Sequence, residues 1–392
     1  IAKEITDSMH VDMDDVNYSV LTYAASEKKN AMGPSLLDPR SGEILEADIM
    51  WWHNVLSMVR EWITVQTGTV CPEARSVQLP DSLMGDAIRF VACHEVGHSL
   101  GLRHNMMGSW AFPTDSLRSA AFTSRMNSTA SSIMDYARFN YIAQPGDGVK
   151  VLSPHIGPYD MFAIEYGYRW YGKNTPEEEK DILFDFLSKH TDRLYKYSEA
   201  QDVRDAVDPR AQNEDLGDDP VKASEYGRRN LQYLLKHIND WVADKDKDFE
   251  FRTAVYDEIV YAYVRYLTFV LGDIGGIYLN ERYDGDQRPS FKTVSKQQQK
   301  KALNFLLNEL KDLSWLDARE TLKEFPIRTS VAMQMEDAII DGILSRCGAV
   351  AICSGKATSA PYTQKEYLAD IERFVWAPTR AGRTLTETEM RL

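Results

Sequence analysis

Residues 94–104 read His-Glu-Val-Gly-His-Ser-Leu-Gly-Leu-Arg-His and begin inside a predicted helix. Residues i and i+4 of a helix share one face, so His94 and His98 can present ring nitrogens to one metal ion. Gly101 suits the sharp turn that ends a helix, and His104, three residues later, can return to the same ion. Three histidines leave the fourth position of a tetrahedral zinc ion open for water, as a catalytic zinc requires. The stretch therefore predicts a catalytic zinc site.

Glu95 follows the first of these histidines and is offset from it by about 100° around the helix. That offset makes Glu95 a poor third ligand but a good acceptor for a proton from water at the metal. A bare His-Glu-x-x-His pattern can occur by chance on a surface helix, and the added glycine and third histidine make a zinc site the stronger interpretation. In an alternative arrangement, a glutamate on a second helix is the third ligand. Glu165 is available for that role, but His104 makes it unnecessary.

A second motif is independent of the first. Residues 131–136 read Ser-Ser-Ile-Met-Asp-Tyr and match the Met-turn of the metzincins in residue type and order. Together the two motifs resemble the metzincin clan of zinc endopeptidases. The wider sequence is most similar to the bacterial Met-zincin domain proteins, which are large exported zinc-dependent metalloproteases. Residues 33–45 and 159–168 carry this resemblance, which covers residues 14–168, while the remainder is matched only loosely.

The resemblance implies a role for each residue of the two motifs. It assigns the zinc ligands to three histidines: His94, His98 and His104. It makes Glu95 the general base and places Met134 beneath the metal as an apolar floor, with no bond to zinc. Tyr136 stands where the astacin and serralysin branches keep a tyrosine that touches zinc or the oxyanion, although a core tyrosine with a backbone partner is the alternative. Asn105, after the third ligand, matches none of the best-known branches, so their substrate preferences do not transfer.

These residues predict a zinc-dependent endopeptidase with Zn²⁺ as its cofactor and a peptide or protein as its substrate. Zinc would lower the pKa of water towards about 7 and polarise the scissile carbonyl, while Glu95 moves the proton to the leaving amine. The alternative is a metal-stabilised binding module or pseudopeptidase that recognises a protein or glycan partner. Glu95 argues against it, because a purely structural site gains nothing from a carboxylate beside an open coordination position. Hydrolysis of a non-peptide amide is a third hypothesis, which no residue excludes.

The pattern of apolar residues predicts an α+β fold. Residues 1–170 would form a metzincin-like domain with a small mixed sheet and the active-site helix, and residues 171–392 a mainly helical region packed on it. The segment Glu43 to Ile49 alternates polar and apolar residues as an edge strand does, and it is a candidate to hold an extended substrate. Helical spacing predicts helices from Met50 to about Gln66 and from Asp81 to Leu100.

Composition excludes several kinds of partner. The 45 Lys and Arg residues against 59 Asp and Glu give a net charge of −14, which repels nucleic acid and anionic lipid at long range. The most apolar stretch, Ile259 to Gly272, contains Arg265 and is shorter than the roughly 20 residues of a membrane span, so we expect no transmembrane segment. The resemblance alone implies an extracytoplasmic location (secreted, periplasmic or cell-surface). The oligomeric state is left open.

The four cysteines are too few for a disulfide framework. Cys347 and Cys353 are close enough in the sequence to form a bridge, and Cys71 and Cys93 are a second possible pair. Helical cysteines of this kind are more often small buried apolar residues. The sequence therefore leaves both pairings open.

Overall fold

The structure, a computed structural model, describes residues 3–391 except 10, 174, 200–206, 243–244, 283–286 and 324–329. About 52% of the chain is helical and the strands form small sheets, which confirms the predicted α+β class. The sheets lie mainly in the first 52 residues, and the region after residue 170 is mainly helical.

The N-terminal sheet is built around one central strand. The strands of this part of the chain are β1 (Leu21–Ala24), β2 (Ala31–Met32), β3 (Ser35–Leu37), β4 (Ile44–Ala47) and β5 (Ile49–Trp52). β5 pairs in parallel with β1, with Leu21 opposite Ile49, and antiparallel with β2, with Ala31 opposite Trp51. β3 and β4 form a separate antiparallel pair. β2 is therefore an edge strand of its sheet.

The first helix, α1, covers Val55–Thr67, so the prediction that it begins at Met50 is wrong. Residues 50–52 belong to β5, where buried Ile49 and Trp51 alternate with more exposed neighbours. The apolar residues here fit a strand period as well as a helical one, and the strands on both sides of β5 take up its backbone hydrogen bonds. The second helix, α2, covers Asp81–Ser99 and ends within one residue of its predicted end.

The remaining elements are mostly helices. They are α3 (Ala120–Met126), α4 (Pro158–Tyr168), α5 (Pro176–Lys189), α6 (Pro220–Val242), α7 (Glu250–Asp273), the hairpin strands β6 (Ile277–Leu279) and β7 (Phe291–Thr293), α8 (Lys296–Glu309), α9 (Arg319–Leu322), α10 (Val331–Ser345), α11 (Cys347–Lys356), α12 (Gln364–Arg380) and α13 (Glu387–Arg391). Helices α6 and α7 form the most extensive pair, and both pack against α1.

The largest hydrophobic core contains residues from both sides of the predicted boundary at residue 170. Phe112, Tyr141 and Ile142 are fully buried in it together with side chains of α6, α7 and α8. Polar contacts cross the boundary as well: the backbone N–H of Leu216 donates to the Tyr141 hydroxyl at 3.0 Å, and Asn230 donates to the carbonyl of Tyr141 at 2.8 Å. The two regions therefore pack on each other, while the position of the boundary stays a prediction.

The four cysteines are free thiols. Cys353 is buried and the other three are partly buried, which fits their interpretation as small apolar residues.

One helical stretch, Val331–Lys356, is long and apolar enough by length and composition to cross a membrane. This stretch comprises α10 and α11 and differs from Ile259 to Gly272, the most apolar stretch identified in the sequence. Its Ile339, Ile343 and Val350 are buried in the main core. Only 22% of its most apolar window is buried, but a single helix of this kind is weak evidence for a membrane span, so the described residues contain no clear transmembrane segment.

A fragment of residues 1–170 tests the packing of the two regions. We expect it to be poorly soluble, because Phe112, Tyr141 and Ile142 are 0–1% exposed in the whole chain and would lose their partners. Soluble yield and thermal melting of the fragment and the whole chain are the measurements. A soluble, zinc-loaded, active fragment with a cooperative melt would show that the first region folds independently.

Candidate metal centre

Three histidine side chains converge at the C-terminal end of α2. Each of His94, His98 and His104 offers a ring nitrogen, and the three atoms lie within 4.8 Å of one another. His94 and His98 share a helix face, with ring centroids 4.9 Å apart. Gly101 follows the helix with a φ of +80°, and the chain then brings the Nε2 of His104 to 3.1 Å from that of His98. The predicted left-handed turn is thus present, and it folds the third histidine back onto the other two.

Backbone carbonyls orient two of the rings. The Nδ1 of His94 lies 2.8 Å from the carbonyl oxygen of Ile133, and the Nδ1 of His98 lies 2.9 Å from that of Leu102. A carbonyl can only accept, so each Nδ1 carries the proton and donates. The Nε2 atoms of His94 and His98 are left with free lone pairs, which is the tautomer that binds a metal.

The charge state and spacing of the histidines fit a zinc ion. Burial lowers the pKa of His94 to about 3 and that of His104 to about 4, and it also lowers the pKa of His98. All three are therefore neutral at pH 7, the form that binds a metal. Zinc–nitrogen bonds of 2.0–2.1 Å in a tetrahedron separate two nitrogens by roughly 3.3 Å. The 3.1 Å between the Nε2 atoms of His98 and His104 is close to that value.

Met134 lies under the histidines and fills the space that Gly97 leaves. Its side chain is fully buried, and a Cβ on Gly97 would lie 2.2 Å from the Met134 sulfur. Any larger residue at position 97 would therefore displace the methionine. The backbone N–H of Asn105 donates to the carbonyl of Met134 at 3.1 Å, so the turn also holds the chain next to His104.

Asp160 holds the backbone of the turn at residues 131–136 in place. Neither its residue type nor its spacing in the sequence indicated this role. It accepts hydrogen bonds at 2.7 Å from the backbone N–H groups of Ile133 and Gly157 and from the Ser132 hydroxyl. The side chain is buried, and this burial raises its pKa while the two backbone donors lower it. A buried carboxylate with three donors holds a backbone in one place. Asp160 lies in the segment 159–168 that carries the family resemblance.

Glu95 faces the cleft beside the histidines. It is 6% exposed and its carboxylate has no hydrogen-bond partner among the described residues. Burial raises its pKa to about 7. Gly33 packs on it closely, because a Cβ at position 33 would lie 2.8 Å from the Glu95 carbonyl oxygen and 3.3 Å from its Oε2. The residue type at position 33 therefore controls the space around this carboxylate.

The ring of Tyr136 lies against the histidines, with its centroid 4.6 Å from that of His104 and 5.5 Å from that of His94. The residue is 36% exposed and lines the cleft. Its hydroxyl has no hydrogen-bond partner in the described part of the chain, and burial of the ring raises its pKa. The alternative of a core tyrosine bonded to the backbone does not describe this position.

A cleft of about 730 Å³ opens beside the metal centre. Its lining includes β2 and the residues on either side of it, Lys29 to Pro34, but not the segment Glu43–Ile49. The prediction that this segment would hold the substrate is therefore wrong: it contains β4, which pairs with β3, and none of its residues lines the cleft. Strand alternation identifies a candidate edge strand, whereas only the tertiary structure shows which edge borders the metal centre.

Glu165, the alternative third ligand, lies on α4 and forms an ion pair with Arg169. Among the residues that the structure describes, the three histidines are the group of potential metal ligands close enough to share one ion. The arrangement with a third histidine is therefore the one that the structure supports.

Comparison with known families agrees with this site. The family model described as Met-zincin matches residues 76–382, which is more than half of the chain and includes both motifs. No curated protein and no solved structure matches the chain. The chain belongs to the Met-zincin family and contains a metallopeptidase domain of the metzincin clan.

We expect about one zinc ion per chain in the purified protein, because three neutral imidazoles complete a tetrahedral site apart from one position. His98→Ala and His104→Ala should each lose the metal. His237→Ala, a change on α6 outside the site, is the matched control and should keep it. Elemental analysis of protein purified without chelators is the measurement. Unchanged zinc in both ligand variants would mean that other side chains bind it.

Two glycines of α2 give a matched test of the methionine floor. Gly97→Ala should destabilise the protein by about 1–3 kcal/mol and weaken zinc binding, because the new methyl group overlaps the Met134 sulfur. Gly85→Ala meets no atom within 4 Å and should stabilise the same helix by about 0.5–1 kcal/mol. Thermal melting and zinc content distinguish the two variants. Equal effects of both substitutions would contradict the assigned contact.

Proposed function

We propose that the protein is a zinc-dependent endopeptidase that hydrolyses peptide bonds with Glu95 as the general base. The observation that carries this proposal is the position of the Glu95 carboxylate, which has no partner among the described residues, beside three nitrogens that could hold a metal ion at the wall of an open cleft. A structural zinc site is normally closed by four protein ligands. Membership of the Met-zincin family supports the same function. The extracytoplasmic location stays a prediction from the resemblance.

The three histidines would hold the zinc ion, which when bound activates water as a nucleophile and polarises a carbonyl group. Glu95 would accept the proton of the attacking water and deliver it to the nitrogen of the leaving amine. Burial favours this transfer, because a carboxylate with a pKa of about 7 both accepts and releases a proton near neutral pH.

Tyr136 would act on the carbonyl oxygen. Its ring lies against His94 and His104, and its hydroxyl is protonated at neutral pH, as that of an ordinary tyrosine is; burial raises its pKa further. A hydroxyl donor directed at an oxygen that gains negative charge stabilises the transition state. The hydroxyl has no other partner among the described residues, so it is available for this role.

Strand β2 would position the substrate backbone. It is an edge strand, and residues on both sides of it line the cleft next to Glu95. An extended peptide can add to such an edge through main-chain hydrogen bonds, which position it without requiring one sequence. Gly33 follows the strand and, because it has no side chain, allows this segment to pack directly against α2 beside Glu95.

Glu95→Gln should keep zinc but lower kcat for peptide cleavage by at least ~10²-fold, because an amide cannot accept the proton. Glu165→Gln removes an exposed carboxylate outside the cleft and is the matched control, with activity close to wild type. Turnover of a mixture of unrelated peptides, with and without a chelator, is the measurement together with zinc content. Near wild-type turnover in Glu95→Gln would show that Glu95 is not the general base. Zinc-loaded wild-type protein that cleaves no peptide would favour the binding module.

A further inference from the structure

The cleft continues beyond the metal centre into a part that the helical region helps to build. We call this part the charged subsite and define it by the residues at its wall: Lys29, Glu61, Trp62, Arg138, Glu214, Glu258 and Tyr261. Glu258 and Tyr261 are three residues apart on α7 and therefore lie on one face of that helix. Helix α1 supplies Glu61 and Trp62 from the other side. Both halves of the chain thus determine what enters this space.

Most charges of the charged subsite are already paired. Lys29 donates to both carboxylate oxygens of Glu61, at 2.8 and 3.1 Å. Arg138 forms an ion pair with Glu214 at 2.5 Å, and Arg265 contacts the same carboxylate at 3.1 Å. These pairs neutralise one another locally and hold the wall in place.

Arg138 is fixed by a second contact. Its guanidinium lies 3.7 Å from the centre of the Trp62 ring, in a cation–π arrangement, and its side chain is 11% exposed. Glu214, its ionic partner, has a φ of +74° and is itself held by two arginines. A cation bonded on one side and stacked on the other has little capacity left for an anionic ligand.

Glu258 differs from the other two carboxylates of the charged subsite. It has no hydrogen bond or ion pair among the described residues, although it is partly buried in the wall of the cleft. Burial raises its pKa to about 7; the charge of Arg138 lowers the pKa, and the charges of Glu214 and Glu61 raise it. The residues around it therefore do not compensate the cost of its ionised form.

We propose that Glu258 makes the enzyme prefer substrates with a lysine or arginine side chain in the charged subsite. This inference rests on the proposed peptidase function and adds a substrate class to it. A long basic side chain has an apolar stem and a cationic end. Along the cleft, Met58 and Trp62 offer apolar surface to the stem, and the Glu258 carboxylate offers an acceptor to the end. The new ion pair would be formed only in the complex with substrate.

The test begins with the cleavage sites that the zinc-loaded whole chain produces in a denatured protein mixture. We expect one position near the scissile bond to be enriched in lysine and arginine. Two peptides that differ only in lysine or methionine at that position then give the preference, which we expect to be at least about tenfold in kcat/KM. Methionine is the matched neutral residue because its length is close to that of the lysine stem.

Variants of Glu258 assign the preference to this residue. Glu258→Gln should reduce the lysine preference to within about threefold while methionine peptides are still cleaved, because the amide keeps the shape but not the charge. Glu258→Lys should reverse the preference towards glutamate. Asp257→Asn removes the same charge from the neighbouring residue of α7, which is exposed and does not line the cleft, and should leave the preference unchanged. Zinc content and melting temperature show that each variant is folded.

Several outcomes overturn the inference. These are cleavage without any lysine or arginine enrichment, enrichment in aspartate or glutamate, a preference that survives in Glu258→Gln, and an equal loss of activity on all peptides in that variant. The last result would mean that Glu258 is only structural. Failure of the wild-type, zinc-loaded protein to cleave any peptide would instead overturn the proposed function itself, so the two failures are distinguishable.

Discussion

The contact between helix α2 and the turn at residues 131–136 is the interaction on which the metal centre depends. The carbonyl of Ile133 accepts from His94 Nδ1 and so fixes both the tautomer and the direction of that ring. The Met134 side chain packs on Gly97, in the turn of helix between the first two histidines. The hydrogen bond between His94 and Ile133 and the contact between Gly97 and Met134 can both form at only one distance between α2 and the turn. The site is therefore rigid before any metal binds.

The turn is itself held by buried polar groups that reach into the helical region. Asp135 accepts from the backbone N–H of Ser109 at 2.6 Å, and the Ser109 hydroxyl donates to Asp215 at 3.1 Å. Burial raises the pKa of both carboxyls, and the charge of Asp135 raises that of Asp215 further. Since both are fully buried, a proton retained by the pair reduces the cost of placing two like charges close together. This chain of contacts links the turn beside the histidines with the second region.

The charge states of the side chains have different causes at the metal centre and in the charged subsite. At the metal centre, burial keeps the histidines neutral and therefore able to bind a cation. Further along, arginine and glutamate side chains neutralise one another, whereas Glu258 has no partner in the described part of the chain. The same physical effect, loss of hydration, raises the pKa of Glu95 and of Glu258 to about 7. Under the proposed function Glu95 would move a proton, whereas Glu258 would be ionised mainly when a cationic side chain of the substrate lies beside it.

The sequence by itself determined the metal-binding set, since helical periodicity and one left-handed glycine suffice to bring His94, His98 and His104 together. Local patterns also indicated the fold class and the extent of α2. They wrongly assigned residues 50–52 to a helix, because a short apolar run fits a strand and a helix equally. Only the tertiary structure decided that β2 borders the cleft, that Asp160 holds the turn and that Glu258 lines the same cleft as the histidines. Such contacts join residues that are distant in the sequence, so the local spacing of residues does not predict them.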